Sequence, residues 1–373
     1  MPGFISTALT IVAMIGVAYT LAATALAGRW RSRGPVPAPD DAPSITMLKP
    51  LYGLEPALET KLADFLDQDY PASIDMVCGV ARADDPATQA ARAVGATLVI
   101  DAERHGSNAK VSNLINMMPA ASGELLVLSD SDMAVSRDYA ARIASEMARP
   151  GVGAVTLLYA GRGETGRWSE LAAAGISWGF LPSVMIGLAT GMAKPCMGST
   201  IAIRRATLEQ IGGFERFADL LADDHAIGAA VRKAGMEVVV PPLIVLHGST
   251  EASLAELVRH ELRWNATVRM LDPAGYAGSI VTYPTAVALL AVAAGAGWWV
   301  LAAALFSRLA LAARIDYTVG RRTAPLWWMP ARDLLSFGLY VGAFFTRRVD
   351  WRGTRLHMAG DGRMTADTET RYP

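Results

Sequence analysis

Disulfide chemistry has little to work with in this sequence, whose 373 residues include only two cysteines, Cys78 and Cys196. Neither lies in a metal-like spacing, so the thiols fit a reducing compartment rather than a stapled secreted fold. Histidine is also scarce, at five residues, and no Cys or His set is arranged for zinc. Net charge is nearly absent, at −1, which removes the electrostatic argument for nucleic acid. Internal repeats and long low-complexity tracts are missing as well. What the chain has in excess is apolar content, 52% hydrophobic against 18% charged, beyond a typical soluble protein. That excess sits near the amino end and after residue 279, which implies membrane segments around a soluble middle. The length suits one large or two ordinary domains.

Ile5–Gly28 carries no charge and as a helix would extend about 36 Å. A cleaved signal peptide is the rival reading, because Ala25-Leu26-Ala27 resembles a cleavage site. However, no basic residue precedes the run, whereas Arg29, Arg31 and Arg33 follow it. The positive-inside rule places those arginines in the cytoplasm. Residues 1–28 are therefore expected to form an uncleaved anchor with its amino end outside. Residues 29–43, containing Pro35-Val-Pro-Ala-Pro39, make a stiff linker.

From Ser44 the pattern alternates. Strands are expected at Ile45–Leu48, Ile74–Val80, Thr97–Ile100, Leu125–Leu128 and Val152–Leu158. Between them lie helices at Pro56–Leu66, Pro86–Val94, Val111–Met118 and Arg137–Met147. This order predicts an α/β domain over residues 44–275, with a parallel sheet covered on both faces. Trp168–Met192 is long and apolar enough to suggest a span, but one crossing there would put Asp130 on the opposite side of the membrane from everything up to the next span. Gly175, Gly179, Pro182, Gly187 and Gly191 would also make a poor straight helix. A membrane-interfacial segment over 168–192 is expected instead. Residues 280–346 read as a membrane region: Ile280–Ala294 and Trp298–Ile315 as a hairpin turning at Gly295–Gly297, then Leu326–Thr346 with Arg332 and Asp333 inside it. Arg308 and Arg314 must then snorkel or face the bundle. Arg347, Arg348, Arg352 and Arg355 mark residues 347–373 as a cytoplasmic tail.

The chemistry of the middle centres on Glu124–Met133, Glu-Leu-Leu-Val-Leu-Ser-Asp-Ser-Asp-Met. Leu125–Leu128 reads as one buried strand, and Asp130 and Asp132 fall just beyond its carboxyl end, where open α/β sheets bind ligands. Two such carboxylates repel unless something positive lies between them. A hard divalent cation shared with substrate phosphates, Mg2+ or Mn2+, meets that need; a solvated acidic turn is the plain alternative. Asp84-Asp85-Pro86 follows the second strand, as a helix cap or as a carboxylate for a base or ribose. In His105-Gly-Ser-Asn-Ala-Lys110 the lysine is a surface residue or the counter-charge of a diphosphate. Gly198-Ser199-Thr200, before a strand at Ile201–Ile203, would let backbone amides approach a ligand. Asp223 and Asp224 open a helix, as caps or, beside a cleft, as a general base toward a hydroxyl acceptor. In His260-Glu-Leu-Arg-Trp264, Arg263 would bind leaving phosphates with Trp264 beneath the substrate, or both belong to an interfacial belt.

Taken in order, these motifs resemble a membrane-bound family-2-type glycosyltransferase, and more closely the ceramide glucosyltransferase group of family 21. The resemblance runs through Leu48-Lys-Pro-Leu51, Gln68-Asp-Tyr-Pro71, Asp84-Asp-Pro-Ala87, Lys110-Val-Ser-Asn-Leu-Ile-Asn116, Leu221-Ala-Asp-Asp-His225, Arg263-Trp264 and Asp350-Trp-Arg-Gly353. Within the group, Arg104-His-Gly-Ser-Asn108, His260-Glu-Leu-Arg-Trp264 and Asp272-Pro-Ala-Gly-Tyr-Ala-Gly278 are most similar to the hopanoid biosynthesis-associated glycosyltransferases. The resemblance implies a GT-A, Rossmann-like domain flanked by N- and C-terminal transmembrane helices in a bacterial inner membrane, with the catalytic domain facing the cytoplasm. It implies a UDP-sugar donor, Mg2+ or Mn2+, a polycyclic or sphingoid lipid acceptor, and inversion in one displacement. By position, Asp85 would contact the uridine part, and Asp130 and Asp132 would hold the metal. Asp224 would be the general base, while Arg263 and Trp264 would support diphosphate and acceptor. His260 stands where the family has Gln or Arg, with Arg259 next door as the alternative contact; His225 stands where the ceramide enzymes tend to have Tyr. The transfer so implied is N-acetylglucosamine from UDP-GlcNAc to bacteriohopanetetrol. Glucose transfer to ceramide is the near alternative, and a catalytically silent lipid-binding protein the distant one.

Overall fold

A computed structural model describes residues 2–32 and 34–346, and the backbone of 349–351, 354–358 and 364–366. Arg33, Arg347, Arg348 and Arg352 lie outside the described residues, as does the Arg355 side chain, so the tail's expected charge placement stays with the sequence.

The chain begins with α1 (Pro2–Ala27) and enters the α/β region at β1 (Ile45–Pro50). Next come α2 (Leu58–Leu66), β2 (Ile74–Val80), α3 (Ala87–Ala93), β3 (Thr97–Ile100), α4 (Ala109–Met117) and β4 (Leu125–Leu128). The following stretch holds β5 (Met133–Ala134), α5 (Tyr139–Met147), β6 (Val152–Thr156) and β7 (Leu158–Gly163). An apolar excursion, α6 (Arg167–Gly175) and α7 (Leu181–Thr190), precedes β8 (Ile201–Arg204), α8 (Arg205–Gln210), α9 (Asp223–Lys233), β9 (Glu237–Val239) and β10 (Ile244–Ser249). The carboxyl part contains α10 (Leu254–Leu271), α11 (Pro273–Gly278), α12 (Pro284–Ala293), α13 (Trp299–Val319) and α14 (Met329–Ala343). Three short antiparallel strands, β11 (Val349–Trp351), β12 (Thr354–Met358) and β13 (Met364–Ala366), come after it.

Seven strands form the main sheet, in the order β3-β2-β1-β4-β8-β6-β9. Period-two alternation divides its side chains between two buried layers. Ile45, Met47, Leu125 and Val127 point into a core with α2, α3 and α5, while Leu48, Leu126 and Leu128 point into a second core with α4, α8 and α9. The expected all-parallel sheet is corrected in one place: β8 runs antiparallel to both β4 and β6. The α6–α7 excursion returns the chain at the carboxyl end of β4, so β8 enters from that edge, pairing Ile201 with Leu128. This reversal sets Gly198 and Ser199 beside Asp130.

The expected strand Val152–Leu158 is two strands. It breaks at Leu157, and β7 leaves for a second sheet, ordered β5-β10-β7. Continuous apolarity hid the break, because both halves are buried. The second sheet decides the site, since β10 pairs antiparallel with β5 and sets His247 opposite Met133, one residue after Asp132.

Two described helices are long and apolar enough to cross a membrane, Gly3–Trp30 and Arg167–Thr190. The second is continuous despite its glycines, because a π-helical turn at Ile176–Phe180 absorbs the break before Pro182. It packs on β7, α1 and α13, and Trp178 donates to Asp316 at 3.0 Å. The expected hairpin forms, but α12 has ten residues, about 15 Å, too short to cross alone. It is preceded, across a 70° bend, by Pro273–Thr282. Arg308 faces the bundle: its guanidinium donates to Asp333 at 2.9 and 2.8 Å, and Thr285 donates to the same carboxylate at 2.7 Å. That fork joins α12, α13 and α14.

Candidate active site

The carboxyl ends of β1 and β4 open into a cleft of about 550 Å³, lined by Glu55, Lys110, Asp130, Asp132, Asp223, His247 and the α10 residues Glu256, Arg259, His260, Arg263 and Trp264. Residues from separate stretches of the chain meet there.

The Asp-x-Asp turn is held from below. Lys49, fully buried at the end of β1, donates to Ser129 Oγ at 3.1 Å and to the Asp130 carbonyl at 3.0 Å, with its ammonium over the Phe65 ring. Burial lowers this ammonium to about 7, against the pull of Asp130 and Asp132. Ser129 Oγ in turn donates to the Ser199 carbonyl at 2.8 Å. Above the turn, Lys110 Nζ lies 2.5 Å from Asp130 and 3.9 Å from Asp223. Burial works against the Lys110 charge, but Asp130 and Asp223 more than offset it and raise its pKa. Asn108 fixes that lysine by capping α4, accepting from the Lys110 and Val111 amides, and by donating to the Leu220 carbonyl and to Asp223.

Asp132 faces His247 at 3.2 Å. Burial would raise the Asp132 carboxyl, but His247, with Lys61 and Lys49 beyond, holds it well below the usual range. For His247, burial is outweighed by Asp132, and its pKa is raised. Asp132 Oδ1 is buried without a hydrogen-bond partner among the described residues, and so is Glu55 Oε2. Ser131 Oγ donates to Glu55 Oε1 at 2.6 Å. No described set of three or more His, Cys, Asp or Glu side chains closes into a metal cage. Two carboxylates with an orphaned oxygen form the smaller donor set that Mg2+ or Mn2+ takes when phosphates complete the shell. The residues therefore fit a cation shared with substrate.

Several expected placements change. Asp85 does not line the cleft; it accepts from the Gly53 amide at 3.0 Å and the Ala87 amide at 2.9 Å, so it caps α3 and pins the loop carrying Tyr52. Gly198 is not left open to a ligand. Its amide donates to Asp224 Oδ2 at 3.0 Å, its carbonyl accepts from the Asp130 amide, and a Cβ there would lie 2.9 Å from the Asp130 carboxylate. Ser199 is buried and donates to the Leu157 carbonyl at 2.9 Å, a structural contact. Asp223 and Asp224 divide: Asp223 is buried and lines the cleft, whereas Asp224, only partly buried, accepts from the Gly198 and His225 amides. Burial raises both carboxyls, that of Asp223 to about 6. His225 is exposed.

Sequence reasoning missed Lys49, Glu55 and His247. Only Lys49 left a signal, a lysine where a buried strand should carry an apolar residue. The other two depend on strand pairing and loop geometry that no spacing rule encodes.

Against known proteins, the chain is 21% identical over 230 residues to ceramide glucosyltransferase 1 of Caenorhabditis elegans, covering 60% of this chain and about half (49%) of the relative. Its structure superposes on a mannosyltransferase from Pyrobaculum calidifontis in complex with GDP-Man and Mn2+, with a TM-score of 0.53 and 22% identity. That superposition covers 92% of this chain and 98% of the other. The fold is GT-A. A family model for glycosyl transferase family 21 matches residues 8–364, nearly the whole length, and the protein belongs to that family.

Proposed function

We propose that the protein is a metal-dependent, inverting glycosyltransferase that moves N-acetylglucosamine from UDP-GlcNAc to bacteriohopanetetrol at the cytoplasmic face of a bacterial inner membrane. The observation that carries the reading is the convergence of Asp130, Asp132, Lys110, Asp223, His260, Arg263 and Trp264 on one cleft. Residues 1–28 serve as the anchor, 44–275 as the cytoplasmic domain, 280–346 as the membrane region and 347–373 as the tail. The burial of Arg167–Thr190 against β7 and neighbouring helices supports its interfacial role.

Asp130 and Asp132 would hold the cation, with His247 orienting Asp132. When bound, that cation neutralises charge on the diphosphate. Lys110 and Arg263 supply fixed positive charge to the same group as the sugar–phosphate bond breaks. Asp224 accepts the proton of the acceptor hydroxyl, and the amides on its carboxylate fix its direction. Asp223, within the cleft, supports the acceptor. Asp85 acts indirectly, by setting the loop beside the donor. Trp264 gives the substrate an apolar floor.

The ceramide glucosyltransferase relative favours a second reading, glucose to ceramide. Lipid mass spectrometry of cells with and without the gene separates the two. Loss of an aminosugar hopanoid supports the first reading, and loss of glucosylceramide the second. An unchanged lipid profile, together with no transfer from labelled UDP-sugars in vitro, would refute both.

A further inference from the structure

We propose that the Tyr159 hydroxyl binds the lipid acceptor, donating to the hydroxyl oxygen nearest the one that reacts, so that the site selects a lipid headgroup with two neighbouring hydroxyls. The inference rests on the glycosyltransferase reading and deepens it, by assigning a residue to the acceptor side of the same site.

The fold places Tyr159 between the apolar excursion and the acids. It is the second residue of β7, in register with Val245 of β10, and period-two alternation puts its ring on the sheet face that also carries His247. The two ring centroids lie 5.8 Å apart. The Tyr159 ring also packs at 5.0 Å on Phe180, the last residue of the π-helical turn, which is 38% exposed. One side chain thus reaches from the Arg167–Thr190 helix, long and apolar enough to cross a membrane, to the imidazole beside Asp132. The backbone before it is stitched to the loop that holds Asp224. Thr156 Oγ1 accepts from the Met197 amide at 2.9 Å, and Ser199 donates to the Leu157 carbonyl at 2.9 Å. Between them, the Gly198 amide donates to Asp224 at 3.0 Å.

The ring is fixed, yet its polar tip is not. A tyrosine hydroxyl usually finds a partner when buried, and those of Tyr70, Tyr139, Tyr276 and Tyr340 do. Tyr159 is half-buried, and its hydroxyl has no hydrogen-bond partner among the described residues. Burial first, then the carboxylates of Asp224, Asp130 and Asp132, raise its pKa, so the phenol keeps its proton and acts as a donor. Asp224 is occupied by the Gly198 and His225 amides and makes no hydrogen bond to Tyr159. A donor and a proton-accepting carboxylate therefore stand near each other unjoined, and the acceptor headgroup joins them. A hydrogen bond given to the reacting oxygen would draw on the electron pair that attacks the sugar. Given to the neighbouring oxygen, it orients the headgroup and leaves that pair free. In transfer, the bond from the anomeric carbon to the phosphate oxygen breaks and its electron pair stays on that oxygen. The acceptor oxygen bonds to the carbon, its proton passes to Asp224, and Tyr159 keeps its own.

The test uses the detergent-solubilised full chain with Mn2+, given bacteriohopanetetrol with UDP-GlcNAc or ceramide with UDP-glucose. Each lipid is run beside an analogue in which hydrogen replaces the hydroxyl nearest the reacting one. Tyr159→Phe keeps the ring and removes only the hydroxyl. On the lipid that wild type glycosylates, the variant should lose about tenfold in kcat/KM for the acceptor, with UDP affinity within about twofold of wild type. On the matching analogue the two proteins should differ by less than about twofold, because the phenol has nothing left to bind. An equal loss on lipid and analogue, no loss on the lipid, or a fall in UDP affinity overturns the assignment and leaves the transferase reading standing. A wild type that glycosylates neither lipid refutes that reading, and the role of Tyr159 falls with it.

Discussion

Replacing Asp223 by asparagine should make the resting protein more stable at neutral pH and a poorer transferase. Asp223 is 6% exposed and its Oδ2 has no hydrogen-bond partner among the described residues. Burial, opposed by Lys110 and reinforced by Asp224 and Asp130, raises its carboxyl from 3.8 to about 6. Two pH units correspond to about 3 kcal/mol of destabilisation by the ionised form. That shift already includes the attraction of Lys110, 3.9 Å away, and asparagine keeps an oxygen for Asn108. The net gain should therefore be at most about 3 kcal/mol. Between the unfolded value and the folded one, the native state binds more protons than the unfolded chain. The wild type therefore loses stability as pH rises through that window, and above it bears the full cost. The variant's advantage should be complete at about pH 8 and gone by about pH 4, read as a shift of about 2–5 °C in thermal unfolding followed by tryptophan fluorescence. A variant no more stable than wild type at the higher pH, or equally favoured at both, would refute the reasoning.

Asp224→Asn should lower transfer by about a hundredfold or more while leaving UDP-sugar affinity within about twofold; lost binding in a titration would show that its carboxylate serves the donor instead. Asp333→Leu strands the Arg308 guanidinium in the helix bundle and should destabilise the protein by about 3–5 kcal/mol. Adding Arg308→Met should recover most of that. A double variant as unstable as the single one in thermal unfolding would mean that the fork is not an isolated charge pair.

Legibility in the sequence depended on range. Leu125–Leu128 and the two aspartates after it were readable because strand, turn and ligand position lie within ten consecutive residues, and β4 forms with the expected bounds. The helix opened by Asp223 and Asp224 was readable for the same reason. What depends on pairing between distant strands was not. His247 reaches Asp132 only because β10 pairs with β5 and β7, and β7 was hidden inside one apolar run. Gly198 and Ser199 were picked out for their size, yet the antiparallel entry of β8 turns that small size into close packing against Asp130 rather than an opening for ligand. Asp85 shows the reverse: capping was the plain alternative for it, and its carboxylate does cap α3. Arg308 and Asp333 looked like obstacles to membrane helices one at a time, and only the fold shows that they neutralise each other.

The most direct measurement is the position of manganese in crystals grown with UDP and Mn2+, located by anomalous scattering. One peak should lie in the cleft against the Asp132 carboxylate, with Asp130 and the diphosphate beside it. A manganese site away from both aspartates, with nucleotide bound in the cleft, would contradict the assignment.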